Sequence, residues 1–417
     1  MTNRRTFLKM ASAVPVTSVP SRTHPGTKSL AILASHWTPG SIARQVADRF
    51  LIGYPRDGRW HRPSMDVVSL YVDQTPERDQ SQERAAEFGL RIYTSIAETL
   101  RCNRGRLAVD GVLVLASQGE DLSAESSVSD LIEPMVKVFE EDRRAVPVYW
   151  DEPLGFPQAR KMVEASRQLG FPLLVGSFLP MTWRLPPLEL PTGCRVEQAL
   201  MVGVGSGISD CYRALEVMQA MVERRRGGET GVRSVQWVAG QAVWRAGDSG
   251  RWSRELLGAA LARSDSLQGK TLKDGRPRDL VNSGELSRLV EHPEACLVDY
   301  SDGLRAALLM LNGGVGDFTF AARFSEDCSF PSDVSEVSST QFFLPPEPNH
   351  AGSACLAARI EDLIQSGRSS VRPERAWIVR GILDRWMESK KSGGLTLETP
   401  ELNLEYRPSA ESYFCGS

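Results

Sequence analysis

The turn after the first apolar run of the chain has residue types that could bind an anion. His36, Thr38 and Gly40 lie there, just before a stretch with helical periodicity. Thr38 can cap that helix and Pro39 can begin it, which leaves the first backbone amides free for an anion. The turn nevertheless lacks the glycines of the dinucleotide fingerprint Gly-x-Gly-x-x-Gly and carries the bulky Trp37 instead.

Two further polar features have the spacing of ligand-binding residues. Asp73 ends the second apolar run, where a Rossmann sheet places the carboxylate that binds ribose hydroxyls. An ordinary turn residue at the end of a strand is an equally good interpretation of Asp73. Arg213, Glu216, Gln219 and Glu223 form a polar stripe on a predicted helix, and a solvated helix face is the simplest interpretation of such a stripe.

The overall composition is that of a folded globular protein. The chain has 417 residues, of which 41% are hydrophobic and 24% are charged, so disorder and coiled coil are excluded as its main organisation. The formal charge of −3 and the absence of a basic domain argue against nucleic acid as a partner. No uncharged apolar run reaches 18 residues, which argues against a membrane span.

The N-terminus has the pattern of an export signal. Arg4 and Arg5 are followed by Phe-Leu-Lys and by a short stretch of small and apolar residues. We therefore expect residues 1–27 to be a twin-arginine (Tat) signal and the mature protein to be periplasmic. A disordered basic tail on a cytoplasmic protein is the alternative.

The cysteines and histidines give no signal for a metal or for a disulfide framework. The seven cysteines are an odd number and widely scattered, and no Cys-x-x-Cys pair occurs. The five histidines are equally dispersed. We expect no metal site and no systematic disulfide pairing.

Strand and helix patterns alternate through the first part of the chain. Continuous apolar runs predict strands, and the segments between most of them predict helices; the runs cover 30–34, 67–72, 111–116, 146–150 and 172–175. Runs without polar alternation are typical of a parallel sheet that is covered on both faces. Residues 28–176 are therefore predicted to form a Rossmann-like, doubly wound parallel sheet.

The pattern changes after residue 176, beyond which a Pro-rich segment at 185–191 forms a joint. Residues 177–417 are predicted to form an α+β domain with an open, mainly antiparallel sheet. Its predicted elements are a helix over 210–226, β-like segments at 232–238 and 241–245, a strand pair at 306–312 and 317–324, a Ser/Pro-rich crossing at 327–348, and closing helices at 353–366 and 374–391. We expect the closing helices to pack back on the first domain.

One segment of the chain resembles a known family closely. Residues 148–155 read Val-Tyr-Trp-Asp-Glu-Pro-Leu-Gly, and Met-Val-Glu-Ala at 162–165 and Leu-Leu-Val-Gly at 173–176 follow. This pattern resembles the glucose–fructose oxidoreductase/inositol dehydrogenase (Gfo/Idh/MocA) family, in which a strand ends in Glu-Lys-Pro-Leu before a similar helix and strand. Weaker likeness extends over most of residues 28–405.

The resemblance implies a dinucleotide domain joined to a domain that holds a sugar or polyol. It implies NAD or NADP as cofactor, contacted by His36, Thr38, Gly40, Asp73 and Pro153. It also implies a sugar, cyclitol or related polyol as substrate and a homo-oligomer built through the open sheet.

The positions that carry the family's chemistry differ in this chain. The family's lysine falls on Glu152, its histidine on Arg213 and its aspartate, with the motif one residue short, on Glu216. These three residues are therefore the candidate catalytic set. Glu152 could act as a general base if burial raises its pKa, whereas an arginine keeps its proton and can only clamp an anion.

Three functional hypotheses follow from these substitutions. The first is an exported NAD(P)-dependent oxidoreductase for a sugar or cyclitol. The second is a catalytically inert binding or scaffolding protein that keeps the family fold. A variant of the first uses transient oxidation to cleave a glycoside. Since the turn lacks its glycines, we expect at most modest affinity for a dinucleotide.

Overall fold

A computed structural model describes residues 27–116, 131–153, 155–190, 192–266, 279–325, 336–345 and 352–415. The predicted Tat signal lies outside the described residues except for residue 27. Within the described part, two sheets account for most of the strands. None of the described helices combines the length and the apolarity needed to cross a membrane.

The first sheet has six parallel strands in the order β5-β4-β1-β6-β7-β8. The strands are β1 (Lys28–Ala34), β4 (Met65–Val72), β5 (Arg91–Ile92), β6 (Gly111–Leu115), β7 (Val148–Trp150) and β8 (Leu173–Val175). Every residue of β6 and β7 is buried, as the continuous apolar runs require. The predicted doubly wound parallel sheet is confirmed.

Helices cover both faces of this sheet because alternate residues of each strand point to opposite sides. Ala31 and Leu33 of β1 face one core, and Leu30 and Ile32 face the other. The helices of this part are a π-helix (Ala43–Ala47) that continues into α1 (Asp48–Leu51), then α2 (Ser81–Phe88), α3 (Ile96–Arg101), α4 (Ile132–Glu141) and α5 (Phe156–Leu169). A short hairpin of β2 (Tyr54–Arg56) and β3 (Arg59–His61) follows α1, and the sequence patterns did not predict it.

The second sheet has eight strands in the order β17-β12-β13-β14-β10-β15-β16-β9. It is antiparallel except where β10 pairs with β14. The strands are β9 (Trp183–Leu185), β10 (Val196–Gly203), β12 (Val232–Ala239), β13 (Glu294–Tyr300), β14 (Arg305–Met310), β15 (Phe318–Phe324), β16 (Val337–Phe343) and β17 (Leu397–Glu398); β11 (Glu229–Thr230) and β18 (Glu405–Tyr406) pair separately. The predicted α+β domain with a mainly antiparallel sheet is confirmed.

Both faces of the second sheet are covered by helices of this chain. On one face lie α6 (Ile208–Val222) and, near β12, α11 (Glu374–Lys391). The other face packs against helices supplied between β12 and β13, which are α7 (Gln241–Asp248), α8 (Arg254–Leu261) and α9 (Leu286–Leu289). A homo-oligomer built through an open face of this sheet would therefore have to use a surface other than the part these helices cover.

Several predicted elements of the second domain differ in the structure. The β-like segment at 241–245 is helical and belongs to α7, where Val243 and Trp244 are buried against the sheet. The Ser/Pro-rich crossing at 327–348 contains the strand β16. The strands at 306–312 and 317–324 exist but are not neighbours, since β10 lies between them. Short amphipathic segments such as 241–245 fit either periodicity, so the tertiary packing decides.

The closing helix α10 (Gly352–Ser366) packs on the first domain, against β2 and the π-helix, whereas α11 packs on α5 and α6. A disulfide joins Cys355 of α10 to Cys415, with the two Cα atoms 5.9 Å apart. Cys194 is disulfide-bonded as well. The expectation of no systematic disulfide pairing was therefore wrong. The spacing of 60 residues between Cys355 and Cys415 gives no hint of the pair, because only the tertiary fold brings the tail to α10.

Candidate functional site

The carboxyl end of β7 carries the first candidate catalytic residue. Glu152 lies two residues beyond the last residue of the strand and is 5% exposed. Its neighbour Asp151 is also buried and accepts a hydrogen bond from the backbone N–H of Ala116, at 2.9 Å. This bond holds the end of β7 against the end of β6, so that Glu152 has a defined, buried position between the first sheet and α6.

The N-terminal and central turns of α6 bring the other two candidates to the same place. Ser209, Tyr212, Arg213 and Glu216 follow one another at helical spacing and share one face of the helix. The Ser209 side chain hydrogen-bonds Glu152, and the Arg213 guanidinium is close enough to stabilise the Glu152 anion. The structure therefore brings Glu152, Arg213 and Glu216 together, as the resemblance implied. Their catalytic roles remain predictions.

Burial changes the acidity of Glu152. Loss of water around the carboxyl raises its pKa from 4.5 to about 7. The positive charge of Arg213 opposes this rise, and the negative charge of Asp151 adds to it. A carboxyl with a pKa near 7 is matched to general base or general acid work at neutral pH.

Glu216 is buried in the same way at the start of the second domain. Burial raises its pKa to about 7, opposed by hydrogen bonds from Ser177 and by the charge of Arg375, while Glu152 adds to the rise. The backbone N–H and the hydroxyl of Ser177 donate to Glu216 Oε2 at 2.9 and 2.6 Å. Gly176 is a close neighbour, since a Cβ there would lie 1.9 Å from Glu216 Oε1. The carboxyl is thus fixed where the chain leaves β8.

Two buried tyrosines complete the cluster, and the sequence patterns did not single them out. The Tyr149 hydroxyl donates to the carbonyl oxygen of Gly176 at 3.0 Å. The Tyr212 hydroxyl is fully buried and has no hydrogen-bond partner among the described residues. Burial raises the pKa of both phenols well above 10, with the neighbouring carboxylates adding to the rise. Helical spacing from Ser209 and Glu216 could have identified Tyr212.

The second half of the polar stripe is buried rather than solvated. Gln219 and Glu223 are 0% and 1% exposed. Glu223 accepts hydrogen bonds from Arg375 at 2.5 and 3.0 Å and from the Tyr406 hydroxyl at 2.6 Å. Gln219 accepts from the Tyr300 hydroxyl at 2.8 Å. The interpretation as a solvated face was therefore wrong for these residues, because α11 and β18 cover them.

The bulky side chain in the turn after β1, that of Trp37, lies in the core. Trp37 is fully buried, its backbone N–H donates to Asp79 Oδ1 at 3.2 Å, and its carbonyl accepts from Gln80. The hydroxyl of Ser41, not that of Thr38, accepts the Arg44 N–H at the start of the helix, at 3.3 Å. His36 and Thr38 are also buried, so this turn presents less free backbone than a glycine-rich one would.

Two of the predicted cofactor residues lie where a dinucleotide could reach them. Gly40 is exposed, and a Cβ there would meet no heavy atom within 4 Å. Asp73 is half-buried at the end of β4, and its backbone N–H donates to the carbonyl of Ala34 at the end of β1. Pro153 is buried beside Glu152. The residues present therefore fit a ribose at Asp73 and a phosphate at Gly40. The backbone N–H of Trp37 already donates to Asp79, so it is not free to bind that phosphate.

Solved structures with the same fold include proteins in complex with NAD. GenD2 from gentamicin A biosynthesis, in complex with NAD, is 15% identical, with 91% of this chain and 99% of that chain covered and a TM-score of 0.53. Myo-inositol dehydrogenase from Lactobacillus casei, in complex with NAD(H) and myo-inositol, is 11% identical, with 91% and 100% covered and a TM-score of 0.53. This chain shares their fold.

A probable dehydrogenase from Thermotoga maritima is also similar, at 11% identity, 90% and 99% coverage and a TM-score of 0.50. No protein-family model and no curated protein matches the sequence. The comparisons thus show a shared fold over nearly the whole chain, and any activity has to be argued from the geometry of this protein.

Proposed function

We propose that the protein is an NAD- or NADP-dependent oxidoreductase for a sugar, a cyclitol or a related polyol, in which Glu152 is the proton acceptor. The observation that carries the proposal is the buried position of Glu152 at the end of β7, with a pKa of about 7. An ordinary glutamate would be too weak a base, and an arginine at position 213 cannot accept a proton at all.

Each polar residue around Glu152 has a distinct task in this proposal. The Glu152 carboxylate takes the proton of the substrate hydroxyl, and Ser209 orients that carboxylate through their hydrogen bond. Arg213 stabilises the negative charge that develops on the substrate oxygen. Glu216 is held by the two hydrogen bonds from Ser177 and acts as a positioning residue beside Glu152.

The cofactor has candidate ligands at the other strands of the same edge. Asp73 would bind the ribose hydroxyls, and the open backbone at Gly40, beside His36 and Thr38, would face the phosphates. Pro153 would border the nicotinamide, by analogy with the family. A bound oxidised dinucleotide supplies the hydride acceptor.

The first test asks whether a dinucleotide is present. The protein is purified natively and denatured, and the supernatant is analysed for NAD(H) and NADP(H). Stoichiometric release supports the proposal. If nothing is released and titration with both cofactors gives no heat, the second hypothesis, an inert binding or scaffolding protein, is favoured; the Asp79 carboxylate on the Trp37 amide is the observation that speaks for it.

The second test addresses Glu152 with an isosteric change. We expect Glu152→Gln to lower kcat/KM for the best polyol by 100-fold or more, and the wild-type value to rise as the pH increases through about 7. Glu164→Gln on the exposed side of α5 is the matched control and should keep full activity. An unchanged rate in Glu152→Gln would contradict the assignment. Release of a sugar from an aryl glycoside would identify the glycoside-cleaving variant of the function.

Export to the periplasm is part of the same proposal. The Cys355–Cys415 disulfide supports it, since structural disulfides persist in oxidising compartments. Replacing Arg4 and Arg5 by lysine should stop export and leave folding intact, as followed by cell fractionation. Undiminished export of this variant would contradict a twin-arginine signal.

A further inference from the structure

One face of the closing helix α11 contacts the segment that joins β7 to α5 and carries the proposed proton acceptor. Trp377, Arg380 and Asp384 lie on that face, at positions i, i+3 and i+7 of the helix. Each of these side chains contacts either Pro153 or Phe156. We call the three residues of this face the α11 clamp.

Arg380 makes two contacts in different directions. Its Nη1 donates to the carbonyl oxygen of Pro153 at 3.2 Å, and its Nη2 lies 2.9 Å from Asp384 Oδ1, one turn further along α11. Arg380 is buried, so the planar guanidinium is held in one orientation by the two partners. Since Pro153 directly follows Glu152, this hydrogen bond restrains the backbone that carries the Glu152 carboxyl.

The other oxygen of Asp384 fixes the start of α5. Gly155 precedes this helix and has no side chain that could cap it, so the first backbone N–H groups need acceptors from elsewhere. Asp384 Oδ2 accepts the N–H of Phe156 at 2.8 Å, and a carboxylate is favoured at the positive end of a helix. The rings of Trp377 and Phe156 pack edge to face, with centroids 6.2 Å apart. The α11 clamp thus holds both ends of this short segment.

The α11 clamp also brings charge near Glu152. Burial raises the pKa of Glu152 to about 7, and the positive charges of Arg213 and, to a smaller extent, Arg380 oppose this rise. The carboxylate of Asp384 offsets part of the charge of Arg380. The titratable and charged groups that face Glu152 from the first sheet, from α6 and from α11 are Tyr149, Asp151, Tyr212, Arg213, Glu216 and Arg380.

We propose that Arg380 is a positioning residue for Glu152, which it holds through the Pro153 carbonyl while Asp384 holds Arg380 in turn. The α11 clamp thereby connects a helix of the second domain to the segment that ends β7. Its role in proton transfer rests on the proposed function, whereas its effect on the Glu152 carboxyl does not.

The first test is an infrared titration of the full chain, which needs no turnover. The carbonyl band of the protonated Glu152 carboxyl is assigned by its loss in Glu152→Gln. Arg380→Gln removes a positive charge, so the pH midpoint of this band should rise by about 0.5 pH unit or more. Asp384→Asn removes a negative charge and leaves Arg380 uncompensated, so the midpoint should fall.

The opposite signs separate positioning from mere support of the fold. Both variants break the Arg380–Asp384 ion pair, so a purely structural role would move the midpoint in the same direction in both. Arg385→Gln is the control, since Arg385 lies on the same helix but pairs with Glu388 and Glu401, and it should leave the midpoint unchanged. An unchanged midpoint in Arg380→Gln, or shifts of one sign in both variants, would overturn the proposal.

The second test uses the rate of polyol oxidation. Arg380→Gln should lower kcat at least about tenfold with KM little changed, because the proton acceptor is misplaced while substrate binding is not. Arg380→Lys keeps the charge but lacks the planar fork, and it should recover part of the rate. A full rate in Arg380→Gln would contradict the positioning role. Absence of turnover in the wild type would instead contradict the proposed function, and the infrared shifts would still decide the role of Arg380.

Discussion

The centre and the C-terminal end of helix α6 bury their carboxylates equally but give them different partners. Glu216, at the centre of the helix, is 2% exposed, and Glu223, just beyond its last residue, is 1% exposed. Glu223 has the guanidinium of Arg375 at 2.5 Å. Neither Glu216 nor Glu152 facing it has an ion-pair partner within 4 Å among the described residues, and burial raises the pKa of both to about 7.

This difference separates a structural cluster from a chemical one. A buried carboxylate that is hydrogen-bonded to a buried arginine joins the two elements that carry them, as Glu223 and Arg375 join α6 to α11. A buried carboxylate that has only dipoles and a distant cation holds its proton near neutral pH, and it can therefore exchange that proton with a ligand. The same helix thus anchors the fold at one end and lines the candidate active site at the other.

The largest expected effect comes from breaking the ion pair. Arg375→Leu leaves Glu223 buried with no guanidinium, and the free energy of unfolding at pH 8 should fall by about 3–5 kcal/mol. Urea denaturation followed by circular dichroism measures the loss. A loss below about 1 kcal/mol would show that Glu223 does not depend on Arg375 for its burial, and the contrast between the centre and the C-terminal end of α6 would disappear.

The pH dependence of stability should distinguish the unpaired carboxyls. The pKa of Glu216 is raised from 4.5 to about 7 on folding, so the native state binds more protons than the unfolded state within this window. The contribution of Glu216 to the free energy of unfolding is fully present below about pH 4.5, and it is lost as the pH rises to about 7. Above that pH, Glu216→Gln should be more stable than wild type by about 3 kcal/mol, and near pH 4 the two should be equal.

The double variant sharpens this prediction. Glu152 and Glu216 raise each other's proton affinity, so the gain in Glu152→Gln/Glu216→Gln should be smaller than the sum of the single gains. Denaturation of the wild type, the two single variants and the double variant at pH 5 and pH 8.5 measures these gains in the free energy of unfolding. Strict additivity would indicate that the two carboxyls titrate independently.

A smaller effect is expected from Ser177. Its hydroxyl donates to Glu216 at 2.6 Å and stabilises the ionised form. Ser177→Ala should therefore raise the pKa of Glu216 further, with a stability loss of about 2 kcal/mol at pH 9 and about 1 kcal/mol at pH 5. The midpoint of the stability–pH curve, measured by thermal unfolding, should move upward. A downward shift would contradict the assigned hydrogen bond.

The smallest effect is expected for an exposed ion pair. Arg254 and Asp248 form such a pair on the surface, with side chains 40% and 60% exposed. Arg254→Ala should change the free energy of unfolding by at most about 1 kcal/mol. A change as large as that of Arg375→Leu would mean that arginine removal in general, not burial of the pair, causes the loss.

Sequence patterns were most informative where local physics decides the structure. The continuous apolar runs correctly predicted strands of the first sheet, where buried apolar residues follow one another without polar alternation. The hairpin at 54–61 was not predicted, and the start of the helix at 241–248 was predicted to be β-like. Their residues pack on partners far away in the chain, and short segments carry too few residues to show a period.

The candidate site was only partly visible before the structure. Glu152, Arg213 and Glu216 were identified because the family motif marks their positions. Tyr149, Tyr212 and Ser177 were not, although they surround the same carboxyls. Their involvement depends on the distance between β7, β8 and α6, which are separated in the chain by tens of residues.

The sequence by itself determined which residues have acid–base chemistry, which apolar runs form the strands of the first sheet, and which glycines are missing from the first turn. Only the tertiary structure decided that Glu152 and Glu216 lose their water together, that Glu223 gains an arginine, and that Trp37 points into the core. The physical reason is that the pKa of a carboxyl depends on desolvation and on charges within a few ångströms. Those surroundings are assembled from distant parts of the chain.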